Sequence, residues 1–170
     1  MIRTLAFVGL GSNLVHPRRQ IARALRRLAA LPRTTLLRIS GNYLSAPVGT
    51  STPQPDYVNA VALVATALPP RALLARLQAL ERRQGRTRDR KAGRNAARSL
   101  DLDLLLYGRL RLDTRGLALP HPRMHQRAFV LRPLQDIAPA ATIPGRGLAR
   151  RHAAAARDQR IERTRTHHPH

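Results

Sequence analysis

The sequence predicts an α+β fold, a ferredoxin-like two-layer sandwich with an antiparallel sheet and helices packed on it. Three observations lead there. Its segments follow in the order strand, helix, strand, strand, helix, strand, with a further C-terminal stretch. Each helical segment carries a single apolar stripe, as a helix lying on a sheet does. The length, 170 residues, suits one core.

The first strand is the apolar run 4–10, closed by Gly11-Ser12-Asn13 as a turn. Residues 17–31 form a helix with Pro17 in its first turn and Ile21, Leu25 and Leu28 on one side; Arg18, Arg19, Arg23, Arg26 and Arg27 fall largely elsewhere, and Pro32 ends it. Residues 34–44 read as a strand. A loop follows over 45–56, with Pro47, Gly49, Pro53 and Pro55. Residues 57–67 are β-branched and apolar, a further strand. Pro69-Pro70 opens a second helix striped by Leu73, Leu77 and Leu80, with Gly85 where a C-terminal cap is expected. The stretch 82–98 holds eight cations and one acid, Asp89, and reads as a long mobile loop. Residues 99–107 form a strand, 110–112 a short one, and 125–137 are largely helical. The organisation expected is one folded domain over 1–145 and a basic helix and tail over 146–170, with 146–156 helical and the remainder partly disordered.

Composition narrows the class. There is no cysteine, hence no disulfide, thiolate nucleophile or zinc–sulfur site. No apolar stretch approaches the ~20 residues that span a bilayer, and a cytoplasmic location is expected. The net charge of +22 attracts polyanions, and with few aromatics and no base-reading motif the expectation for nucleic acid is non-specific contact only.

Against only nine acids in the chain, Asp101 and Asp103 stand two residues apart in Leu100-Asp101-Leu102-Asp103-Leu104-Leu105-Leu106-Tyr107. In a strand, alternation places both carboxylates on one face, alpha-carbons ~7 Å apart, with Leu100, Leu102, Leu104 and Leu106 on the other. Paired carboxylates repel, and a divalent cation between them reverses the sign. Hard oxygen donors beside phosphate oxygens suit magnesium. The adjoining cations, Arg86, Arg88, Arg90, Lys91, Arg94 and Arg98, suit polyphosphate. The alternative is an edge strand bearing two solvated acids beside a solvated charge run. Gly9-Leu10-Gly11-Ser12-Asn13-Leu14 begins like a dinucleotide fingerprint but lacks its third glycine, and no Walker pattern is present.

Taken in order, Val8-Gly9-Leu10-Gly11-Ser12-Asn13-Leu14, the segment 43–49, Gln54-Pro55-Asp56-Tyr57-Val58-Asn59-Ala60, Glu81 to Arg86, Arg98-Ser99-Leu100-Asp101-Leu102-Asp103 and Pro120-His121-Pro122-Arg123-Met124 to Phe129 resemble hydroxymethyldihydropterin pyrophosphokinase of the folate pathway, over residues 4–144. The resemblance implies transfer of pyrophosphate from ATP to 6-hydroxymethyl-7,8-dihydropterin with release of AMP. It implies that Asp101 and Asp103 hold two magnesium ions and that Arg86 and Arg98 clamp phosphates. Gln78, Glu81, Arg88, Leu104, His121 and Arg127 would lie at ATP. Tyr57 and Phe129 would sandwich the pterin, with Asn59 and the backbone around Ser45, Ala46 and Val48 reading its edge. A monomer is expected. The chain departs from the family in lacking a tryptophan in the basic loop, in Pro122 and in Gly116. Two other readings compete: a paralogue acting on a related pterin, and a basic RNA-binding module, which the acids on the candidate strand disfavour.

Overall fold

The computed structural model describes residues 2–47, 53–85 and 100–164. The elements are β1 (Thr4–Ser12), α1 (Pro17–Ala29), β2 (Thr34–Ile39), β3 (Tyr43–Ser45), β4 (Tyr57–Thr66), α2 (Pro70–Arg83), β5 (Asp101–Tyr107), β6 (Leu112–Thr114), β7 (Leu117–Leu119), a 3-10 turn (Met124–Gln126), α3 (Ala128–Ile137), β8 (Thr142–Ile143), β9 (Gly147–Leu148), α4 (Ala149–Ala155) and β10 (Ile161–Arg163).

One antiparallel sheet organises the molecule. Its path is β10-β3-β4-β1-β5, and β2 also pairs with β4. β4 is long enough to take both: its residues 57–59 pair with β3 and 62–66 with β2. The run 34–44, expected as a single strand, therefore divides. Ser40 sits at the division, where its N–H donates to the Val61 carbonyl at 2.9 Å and its hydroxyl accepts from the Val61 N–H at 2.9 Å. A side-chain oxygen replaces a ladder acceptor there, so no polar backbone is stranded where the chain turns.

Strand alternation sorts the core into two halves. Ala6, Val8 and Leu10 of β1 and Val58, Ala60, Ala62 and Val64 of β4 face α1 and α2, meeting Ile21, Leu28, Leu73 and Leu77. Val61 and Leu63 of β4 face the other way, onto Val130, Leu131 and Leu134 of α3 and Ala149 and Ala153 of α4. The sheet with α1 and α2 is the expected two-layer sandwich, and α3 and α4 add a layer on its other side. Each fully buried leucine contributes on the order of 1.5–3 kcal/mol.

β5 breaks the alternation once. Phe7 pairs with Leu106 but Val8 pairs with Leu104, so Leu105 is an extra residue on the β5 side. Leu100, Leu102 and Leu104 join the α1/α2 half, whereas both Leu105 and Leu106 join the α3 half. The expected placement of Leu106 with the other three is thus corrected by a bulge, which alternation alone does not reveal.

Past 107, the short strand expected at 110–112 lies two residues later, as β6 (Leu112–Thr114) paired with β7. The helix expected over 125–137 is a 3-10 turn followed by α3. In the C-terminal stretch the helix is α4, and residues 161–163 are β10 in the main sheet rather than part of a tail.

Candidate active site

Asp101 and Asp103 project from β5 on the α3 side of the sheet, both partly exposed. In the register, Asp101 lies opposite Gly11 and Asp103 opposite Gly9. On its other side β1 places Gly11 opposite Asn59, and β4 places Asn59 opposite Tyr43. Tyr43, Asn59, Gly11 and Asp101 thus form one row across four strands. Strands lie ~4.8 Å apart, so Asn59 and Asp101 are about 10 Å apart across the row.

Gly11 of this row and Gly9 opposite Asp103 serve a purpose other than a phosphate turn. Both sit inside β1, which runs on to Ser12, two residues past the expected strand end at Leu10 and into the expected turn. A Cβ on Gly11 would stand 3.4 Å from Asn59 Oδ1 and 3.8 Å from Tyr57 Cδ1. Glycine leaves the sheet bare between Asn59 and Asp101.

At the acid end, the His121 N–H donates to the carbonyl of the bulged Leu105 at 2.8 Å, which ties the segment after β7 to β5. His121 Nδ1 accepts from the Arg123 N–H at 3.2 Å, leaving Nε2 to carry the proton of the neutral ring. Burial, aided by the positive charge of Arg127, brings His121 down to about 4, with Asp101 opposing the shift. Arg127 is itself lowered from its ordinary value by burial, while Asp103 and Asp101 pull it upward. Its guanidinium also lies 5.4 Å from the Phe129 ring centre, within cation–π range. His121, Arg127, Asp101 and Asp103 therefore share one electrostatic neighbourhood. A cleft of roughly 300 Å³ opens here, lined by Leu74, Leu102, Asp103, Leu104, Leu117 and His121 among others.

At the other end, Asn59 Nδ2 donates to Ser45 Oγ at 2.7 Å and to the Tyr43 carbonyl at 3.4 Å; Asn59 and Ser45 are buried. Asn13 Nδ2 donates to Gln54 Oε1 at 3.1 Å and to the Pro55 carbonyl at 3.3 Å, fastening the end of β1 to the chain entering β4. Tyr57 and Ala46 are half-buried nearby in the chain, and Phe129 is half-buried in the first turn of α3.

The remaining expected residues divide. Glu81 is buried in α2, whereas Gln78 is exposed, one turn beyond the cleft residue Leu74. Val48, Arg86, Arg88 and Arg98, with most of the basic loop, lie outside the described residues. Sequence reasoning assigned no part to Gly11 as a spacer or to Asn13 as a tether. Both lie in Gly9-Leu10-Gly11-Ser12-Asn13-Leu14; for Gly11 the signal was a glycine inside a strand, which marks close approach, and for Asn13 there was none.

The donor set fits magnesium. Magnesium is commonly bound by one or two carboxylates plus substrate phosphates, and Asp101 and Asp103 supply two on one face. Among the described residues there is no cluster of three or more His, Cys, Asp or Glu placed for a metal.

The family model for 7,8-dihydro-6-hydroxymethylpterin-pyrophosphokinase matches residues 7–139. The chain is 49% identical over 138 residues to 2-amino-4-hydroxy-6-hydroxymethyldihydropteridine pyrophosphokinase of Pseudomonas aeruginosa, covering 81% of this chain and 83% of that one. To the enzyme of that name in Haemophilus influenzae it is 45% identical over 139 residues, covering 82% and 84%. In fold it is similar to a solved HPPK-DHPS in complex with substrates, with a TM-score of 0.72 at 12% identity, over 91% of this chain and 43% of that one. A Plasmodium falciparum HPPK-DHPS gives a TM-score of 0.68 at 12% identity, over 90% and 44%. The chain spans less than half the length of those two solved chains.

Proposed function

The chain belongs to the 7,8-dihydro-6-hydroxymethylpterin-pyrophosphokinase family, and from that premise we propose how its own residues transfer pyrophosphate from ATP to 6-hydroxymethyl-7,8-dihydropterin in folate biosynthesis. The observation that carries the proposal is the row Asn59–Gly11–Asp101, which sets a buried amide beside the paired carboxylates with no side chain between them.

Asn59, Ser45, Ala46 and Val48 read the pterin edge, and Tyr57 and Phe129 cover its faces. The cleft at Leu104 and His121 takes ATP, with Gln78, Glu81, Arg88 and Arg127 around it. Arg86 and Arg98 clamp the phosphates. Asp101 and Asp103 hold two magnesium ions, which when bound neutralise charge on the transferring phosphates. The pterin hydroxymethyl oxygen bonds to the β-phosphorus, the bond from that phosphorus to the oxygen bridging to the α-phosphate breaks, and AMP leaves. The hydroxyl proton is released to solvent. The protein forms no covalent bond with substrate in this scheme; its residues align the ligands and balance charge.

No helix among the described residues is long and apolar enough to cross a membrane, and we take the enzyme to act as a cytoplasmic monomer. The test is incubation with ATP, magnesium and 6-hydroxymethyl-7,8-dihydropterin. AMP and the pterin diphosphate form in equal amounts if the reading holds; ADP in place of AMP would overturn it.

A further inference from the structure

Between α4 and β10 the chain reaches two separate parts of the pterin site. Gln159 arrives at the start of α3, where its Oε1 accepts from the Ala128 N–H at 2.9 Å and its Nε2 donates to the Gln126 carbonyl at 2.7 Å. Ala128 is the first residue of α3, and Arg127 at the N-cap supplies no side-chain hydrogen bond. First-turn N–H groups have no acceptor within their own helix. Gln159 therefore acts as a cap delivered from 31 residues downstream.

One residue later, Arg160 Nη2 meets Asp56 Oδ1 at 2.7 Å, next to Tyr57. β10 then pairs with β3, Ile161 opposite Ser45 and Arg163 opposite Tyr43. The Thr164 N–H continues the attachment to the Asn42 carbonyl at 2.9 Å. Below the pair, Arg163 approaches Asp136 at 3.7 Å, and Asp136 accepts the Tyr43 phenol at 2.8 Å. Among the partners of this short segment are Ala128, Asp56 and Ser45: the neighbour of Phe129, the neighbour of Tyr57, and a pterin-edge residue itself.

We propose that residues 159–163 clasp the pterin pocket, and that Gln159 is a positioning residue that acts through the first turn of α3 to hold Phe129. The inference rests on the reading of Tyr57 and Phe129 as the pocket walls. It concerns residues beyond the 7–139 matched by the family model. Both bonds of Gln159 go to main chain, so they fix the helix start from which the Phe129 side chain springs. The Arg160–Asp56 pair is exposed and contributes little by itself. The cap and the β10–β3 ladder do the holding.

Gln159→Leu removes both bonds at a surface position and leaves the core intact. Gln159→Glu keeps an acceptor for the Ala128 N–H and places a negative charge where a helix start favours one. Affinity for 6-hydroxymethyl-7,8-dihydropterin, measured by calorimetry in the presence of magnesium and a non-hydrolysable ATP analogue, should fall about fivefold in Gln159→Leu, the scale of a lost cap. Affinity for the ATP analogue should fall less, because Arg127, between the two bonded residues, keeps its attraction to Asp103 and Asp101, and Gln159→Glu should recover most of the pterin loss. Phe129→Ala is measured beside them. If it weakens pterin binding and Gln159→Leu does not, the clasp is wrong and the pocket stands. If Phe129→Ala leaves pterin binding unchanged, the pocket reading itself fails and takes the clasp with it. Equal loss of both ligands in Gln159→Leu, or no recovery in Gln159→Glu, would reduce Gln159 to a general structural contact and overturn the proposal.

Discussion

Asn59 and Asp101 lie in one row of the sheet, two strands apart, with Gly11 between them. A ligand seated on Asn59 meets no side chain of β1 before it reaches the carboxylates. Because that row is built from paired backbone, the spacing of the two ends is set by the ladder and not by flexible side chains.

Replacement of Asp101 or Asp103 by Asn removes one charge and keeps the size. Leu100, Leu102 and Leu104 still anchor β5 in the core, so the fold should persist. The rate of the chemical step should fall by about 100-fold or more, the scale of losing one preorganised electrostatic contact. Single-turnover AMP formation at saturating magnesium and ATP, with circular dichroism as the folding control, measures it. A folded variant with near-normal turnover would return the pair to solvated acids on a strand.

Phe129→Ala should weaken pterin binding well beyond its effect on ATP. A flat ring with a polar rim depends on stacking, which contributes about 0.5–1.5 kcal/mol beyond burial. The guanidinium of Arg127 stands 5.4 Å from the ring centre, so some loss on the ATP side is expected too, smaller because Arg127 keeps its attraction to Asp103 and Asp101. Calorimetric titration of each ligand separates the two effects.

Asn59→Ala should cost both stability and pterin affinity. It withdraws the donor that serves Ser45 Oγ and the Tyr43 carbonyl inside the protein. An unsatisfied buried polar group costs about 1–3 kcal/mol. Urea unfolding should show a lower midpoint with an unchanged slope. A midpoint equal to that of the parent would mean that water or the neighbouring backbone satisfies these groups as well as Asn59 does.

His121 gives a pH signature. Its ordinary value is 6.5 and burial, with Arg127, holds it at about 4 in the folded chain. Between those values the unfolded chain binds a proton that the folded chain refuses. The contribution of His121 to stability is fully present above 6.5 and is lost as pH falls toward 4. In unfolding experiments the parent should lose more stability than His121→Gln on going from pH 7 to pH 4.5. Equal losses would place the imidazole in open solvent.

Periodicity made α1 and α2 legible because each is long enough to show its repeat and buries one clear stripe, whereas β1 and β4 were legible as apolar runs, β4 being buried on both faces. Asp101 and Asp103 were legible for the same reason, as acids at matched positions of an apolar run. The three-residue strands were not. Ile161-Glu162-Arg163 has no apolar pattern, and it is a strand because β3 offers an open edge and Gln159 and Arg160 find partners far away in the chain. The division at Ser40 depends likewise on Val61, reached only through pairing. His121, Arg127 and Phe129 were singled out by resemblance, since nothing local distinguishes a histidine between prolines. The row that joins the two ends of the site is a matter of inter-strand register, which no single segment encodes.

The extra residue at Leu105 makes β5 two half-strands out of phase with one another. Substitution and deletion are therefore very different accidents in this short stretch. An exchange of one leucine for another aliphatic residue leaves both halves in step with β1, and repacking absorbs it at modest cost. Loss of Leu105 itself closes the offset and leaves Asp101, Asp103 and Leu106 on the faces they hold now, but it removes one leucine from the α3 half and the carbonyl that takes the His121 N–H. The offset thus serves the neighbouring segment more than the acids: the faces of β5 survive its closure, and the tether of His121 does not.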